Sequence, residues 1–110
     1  QGMNLVQLPA AGAFVEEAPV KNSVTWARAN AAGEEITTTF DVWVRRRSFG
    51  TLERVAMLGE DRSKSAKMLS DCILLGEEQE AISYEQAYQL DPGLAFALVQ
   101  AVKDVGAPKA

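Results

Sequence analysis

A chain of 110 residues and 11.9 kDa, 47% hydrophobic and 24% charged with a formal charge of −4, can build one hydrophobic core and is too short for two ordinary domains. One cysteine, Cys72, and no histidine exclude an internal disulfide, zinc sites and the Ser-His-Asp and Cys-His families of nucleophile. No apolar run reaches the roughly 18 to 20 residues of a membrane span, and no basic region leads into an apolar signal core, so a reducing cytoplasm is the expected setting.

Gln1-Gly2 ahead of Met3 have the form of a protease-cleavage remnant, and the natural chain is expected to start at Met3. Residues 3–19 mix Leu5, Val6, Leu8, Phe14 and Val15 with Pro9, Gly12 and Pro19 and hold no helical or strand period, which reads as an arm that packs in part on the body or on a neighbour. From Ser23 to Ala29, Val24, Trp26 and Arg28 alternate with Thr25, Ala27 and Ala29, a strand pattern. Asn30 to Glu34 supply a turn, and Ile36 to Arg47 form a second strand rich in β-branched and aromatic residues. Its core face is expected to carry Ile36, Thr38, Phe40, Val42 and Val44, leaving Thr37, Thr39, Asp41, Trp43, Arg45 and Arg47 on the other.

Gly50 to Leu58 predicts a short amphipathic helix ended by Gly59. Asp61 or Ser63 can cap a polar turn, after which Leu69 to Leu75 fits both a strand and, through Ala66, Leu69 and Ile73, a helix. The strand is the expectation taken, followed by a turn at Gly76-Glu77-Glu78. Ser83 with Gln86 has the spacing of a capping box for a helix through Leu90, and Asp91-Pro92 opens a last helix carrying Leu94, Leu98, Ala101 and Val105 to Gly106. The fold class expected is therefore α+β. An arm spans 1–19, a single domain with an antiparallel hairpin packed on C-terminal helices spans 20–106, and a tail spans 107–110.

Charge is unevenly spread, with seven cations against four acids in residues 41–70 and two against seven in residues 71–110. Such asymmetry can steer a partner or a second copy, so a homo-oligomer is among the expectations. Arg45-Arg46-Arg47, followed by Arg54, Arg62, Lys64 and Lys67, is the one hint of nucleic acid. Strand alternation would turn Arg46 away from its neighbours, and the acidic total weighs against counterion-release binding, so a nucleic-acid-binding regulator ranks last. The carboxylate clusters Glu16/Glu17, Glu34/Glu35, Glu60/Asp61 and Glu77/Glu78/Glu80 fall in turns or the arm, and no calcium-loop spacing and no phosphate-binding glycine motif occurs. No catalysis, cofactor or metal is expected. Cys72 reads as a small buried apolar residue.

The stretch RSKSAKM, the apolar LSDCILLG, the acidic turn EEQEAIS and the helical YEQAYQLDPGLAFALVQAVKDV, with FDVWVRRRSF upstream, together resemble the tail assembly chaperones of long-tailed bacteriophages over residues 20 to 106. The resemblance implies a non-enzymatic protein of the host cytoplasm that holds the tape measure protein soluble while tail tube protein polymerises around it. It further implies oligomers in several members, a longer frameshifted form in many, and no shared active-site residues. A virion tail or connector component of similar build is the alternative. Client contacts would be apolar or aromatic anchors with a charged rim. The candidates are Phe14, Trp43, Phe49 and Tyr88, rimmed by Arg45 and Arg47, with Trp43 first because strand phase sets it opposite the apolar face.

Overall fold

Alternating β-branched and polar residues produce a long antiparallel hairpin of β1 (Val20–Ala29) and β2 (Glu35–Val44) in the computed structural model, which describes residues 2–16 and 18–108. Gln1 of the expected cleavage remnant, Glu17 of the expected arm, and Lys109 and Ala110 of the expected tail lie outside the described residues. Asn30 organises the connection: its Oδ1 accepts from Ala32 N and Glu34 N, both at 2.9 Å, while Gly33 takes the positive φ of 82° that the reversal needs.

β2 ends at Val44, three residues before the sequence-based expectation. The Arg45 amide still donates to Cys72 O at 2.8 Å, but Ser48 then caps α1 (Phe49–Ala56), its Oγ accepting from Thr51 N. Leu69–Leu75 is not a strand throughout. Ser63 Oγ accepts from Ala66 N at 3.0 Å and starts α2 (Lys64–Cys72), which gives way at Ile73 to β3 (Ile73–Leu75). The helix wins for a physical reason. In strand phase Asp71 would share a face with Leu69 and Ile73. As a helix, the segment buries Ala66, Met68, Leu69 and Cys72 together and sets Asp71 one turn from Lys67, with Nζ to Oδ1 at 3.1 Å.

β3 pairs with β2, and a turn at Gly76 and Gln79, both with positive φ, returns the chain as β4 (Glu80–Ala81), so the sheet order is β1-β2-β3-β4. Gly76 to Glu78 form the expected turn; β4 was not legible in the sequence. The capping box is present: Ser83 Oγ accepts from Gln86 N and Gln86 Oε1 from Ser83 N, both at 3.0 Å, opening α3 (Tyr84–Tyr88). Asp91 caps α4 (Pro92–Asp104), which lies over β1, and Gly106 with φ 93° stops it.

The core sits where β2 and β3 meet α2 and α4, with Val42, Val44 and Ile73 fully buried and Leu69, Cys72, Leu98 and Val102 nearly so. Ile36 and Thr38 share the face of Val42 but stay exposed, a correction to the expected core face. α4 runs along β1 from Asn22, whose Nδ2 donates to Ala101 O at 3.4 Å, as far as Trp26, whose Nε1 donates to Asp91 Oδ2 at 3.0 Å, and residues 30–34 lie past its end. The radius of gyration is 16.5 Å and the extents 63 × 33 × 29 Å, against about 13 Å for a compact domain of this length. Residues 5–12 of the arm form successive turns, with Leu5, Val6 and Phe14 exposed and Leu8 and Val15 half-buried.

Candidate partner-binding surface

Two clefts flank α1, and both are basic. The first, about 540 Å³, brings Arg45, Arg46 and Arg54 together with the arm's Val15 and Glu16, and is floored by α2 and β3 through Asp71 and Leu74. The second, about 290 Å³, is lined by Arg46, Arg47 and Lys103 around Leu52 and Val105, with no acidic residue in its lining. The early end of β2 produces this arrangement. Because residues 45–47 leave the strand, Arg46 joins Arg45 in one cleft and Arg47 in the other, instead of pointing away from both as strand alternation implied. Among the described residues, the ion pairs are Lys21–Asp41 and Lys67–Asp71, and neither uses these arginines.

Between the clefts, α1 is amphipathic yet buries none of its residues. Phe49 is 75% exposed and Met57, just past the helix, 82%, with Leu52 also open to water. Val55 alone on this helix is packed in part against the core. Arg47 is partly fixed from below, its Nη1 lying 3.5 Å from Met68 Sδ of α2.

The structure brings Arg45, Arg47 and Phe49 into this one neighbourhood. Trp43 lies on the opposite sheet face from Val42, as expected, but half-buried: it pairs with Leu74 across the ladder, and Lys21 Nζ stands 5.5 Å above its ring. Tyr88 belongs elsewhere, on α3, 68% exposed and stacked on Tyr84 at 6.0 Å between centroids. Tyr84 in turn accepts from Ser63 N at 2.7 Å and carries the Arg62 guanidinium 4.0 Å over its ring, which ties α3 to the start of α2. Phe14 is 65% exposed on the arm next to Val15 of the first cleft. Sequence reasoning missed Met57 and Lys103 near α1, and Phe96, exposed on α4. The signal for Met57 was its place in the apolar cluster at the end of the helix predicted over Gly50 to Leu58.

Cys72 is buried, and burial pushes its thiol up from the ordinary 9.0. Asp71 adds to that rise, and Arg47 and Arg45 oppose it less strongly. Among the described residues, no group of three or more His, Cys, Asp and Glu side chains is placed to hold a metal ion, and no helix is long and apolar enough to cross a membrane.

A sheet rooted in a small core, with exposed apolar residues set among clustered cations, defines a small α+β domain whose prominent surface features are those of protein contact. The family model described as "Phage tail assembly chaperone, TAC" matches residues 6–106, and the chain belongs to that family. Neither the curated proteins nor the solved structures compared with it gave a match.

Proposed function

We propose that the chain holds the phage tape measure protein soluble in the host cytoplasm while tail tube subunits polymerise around it, and that it leaves before the tail is complete. The observation that carries this reading is the family match over residues 6–106. Exposed Phe49 and Met57 among the arginines flanking α1 support it, because a holding protein needs apolar anchors that its own core does not consume. Phe14, Trp43, Arg45, Arg47, Phe49 and Tyr88 are the proposed contacts.

Co-expression with the tape measure protein tests the reading. The soluble fraction of that protein is expected to rise severalfold with the chain present and to fall again when Trp43 and Arg47 are replaced together. Capture unaffected by that pair would reject their surface, and unchanged solubility without the chain would reject the function. Mass spectrometry of finished tails should lack the chain; its stoichiometric presence would make it a structural tail or connector component instead.

A further inference from the structure

α1 is a helix with an apolar stripe and no core to cover it, and what surrounds that stripe states the chemistry of its occupant. We propose that α1 is a seat for an acidic amphipathic helical segment, which lays its apolar face on Phe49, Leu52 and Met57 and its carboxylates over the two basic clefts. The proposal rests on the chaperone reading for the identity of the client, and adds the class of segment recognised and the place where it binds.

Charge complementarity fixes the sign of the partner. The whole chain is acidic at −4, yet Arg45, Arg46 and Arg54 outnumber Glu16 and Asp71 in the first cleft, Arg46 also lines the second, which has no acid in its lining, and exposed Glu53 on α1, one turn from Phe49, leaves the excess around the helix positive. Guanidinium groups on either side of an eight-residue helix, about 12 Å long, suit a partner with apolar residues at helical spacing and carboxylates on both flanks. The chain also contains a local precedent. Val15 and Glu16, an apolar residue followed by an acid, already line the first cleft beside Arg45, Arg46 and Arg54. Nucleic acid fits less well, since phosphate recognition gives no use for exposed Phe49 and Met57 at the two ends of α1.

The probe is a labelled synthetic helix of about three heptads with leucines at i, i+3, i+4 and i+7 and glutamates elsewhere, and the control carries lysine for each glutamate. Fluorescence anisotropy with the full chain is expected to show saturable binding of the acidic helix, weakened at least about tenfold by the lysine exchange, by Phe49→Ser with Met57→Ser, and by Arg46→Glu with Arg54→Glu. All four substituted side chains are exposed, so the thermal melts should stay unchanged and show that the variants are folded. Equal binding of the lysine helix, or indifference to either pair of substitutions, would overturn the proposal. So would dissociation of a self-associated chain by Phe49→Ser with Met57→Ser in sedimentation without peptide binding, which would give the face to a second copy. Binding of a DNA duplex lost in Arg46→Glu with Arg54→Glu, with no peptide binding, would also overturn it. The two readings fail separately. Tape measure protein kept soluble by a chain that ignores the acidic helix removes the α1 seat alone, whereas peptide binding at α1 with no effect on that protein's solubility removes the chaperone function alone.

Discussion

One exposed carboxylate joins the last helix to the edge strand, and its removal should be felt well beyond its own turn. Asp91 Oδ2 accepts from Leu94 N at 3.2 Å as the cap of α4 and from Trp26 Nε1 at 3.0 Å on β1. Replacing Asp91 with alanine removes a cap typically worth about 1 kcal/mol. It also removes a charge-assisted hydrogen bond worth roughly 1.5 to 3 kcal/mol in general, which solvent at this exposed carboxylate cuts to about 1 kcal/mol. The expected total is about 2 kcal/mol, or a fall in Tm on the order of 10 °C for a domain of this size. Urea titration followed by tryptophan fluorescence measures it, with an unchanged slope showing that the unfolded state is unaltered. Asp91→Asn should recover most of the cap, since asparagine accepts from the same amides. A cycle of Asp91→Ala against Trp26→Phe should give a coupling of about 1 kcal/mol. A coupling below about 0.3 kcal/mol would refute the clamp and leave Asp91 a cap only.

Three further changes follow from the same contacts. Leu98→Ala, at a site 2% exposed between α4 and the sheet, should cost about 2 to 5 kcal/mol in chemical denaturation, enough to unfold many molecules of so small a domain. Ser83→Ala should cost about 1 kcal/mol through loss of the capping box and should raise amide exchange in α3 more than in α4. Cys72, its pKa raised by burial, keeps its proton in the folded chain while the unfolded chain loses it near the ordinary 9.0. The folded state then binds more protons, so this group's stabilisation is whole below about pH 8.5 and declines as pH climbs from there toward the raised folded value. Wild type minus Cys72→Ala in urea titrations should therefore show a difference that shrinks above that pH, and a thiol reagent should react only on unfolding. Rapid labelling of the native chain would contradict both.

What the sequence disclosed depends on how local the deciding interaction is. Ser83 with Gln86, Asp91 with Pro92, and Asn30 with Gly33 act within a few residues, and the structure places each where spacing put it. Leu69 to Leu75 was different, because seven apolar-rich residues satisfy a strand and a helix alike. The choice fell to Ser63 at one end and to pairing of Ile73 and Leu75 with β2 at the other. The same limit governed the candidate surface. Whether Arg46 sides with Arg45 or opposes it depends on where β2 stops, and β2 stops at the residues that meet β3, a partner that the strand's own sequence does not contain. Exposure of Ile36 and Thr38 likewise follows from α4 lying over β1, reaching Trp26, rather than over their half of β2, not from their alternation.

The magnitude available at α1 bears on what kind of holding it can do. Full burial of Phe49 and Met57, now 75% and 82% exposed, would release roughly 1.5 to 3 kcal/mol each, while association costs an estimated 4 to 15 kcal/mol in lost freedom. Together they give about 3 to 6 kcal/mol, which meets only the low end of that cost. Rim arginines in water add only about 0 to 1 kcal/mol per pair, so a single seat gives weak, quickly reversed contact. Tight holding would then require many copies along one long client, each engaging its own acidic amphipathic segment, with avidity supplied by the number of seats. On the proposed function, a sheath built this way would be displaced one seat at a time, so its release would follow from the weakness of each seat.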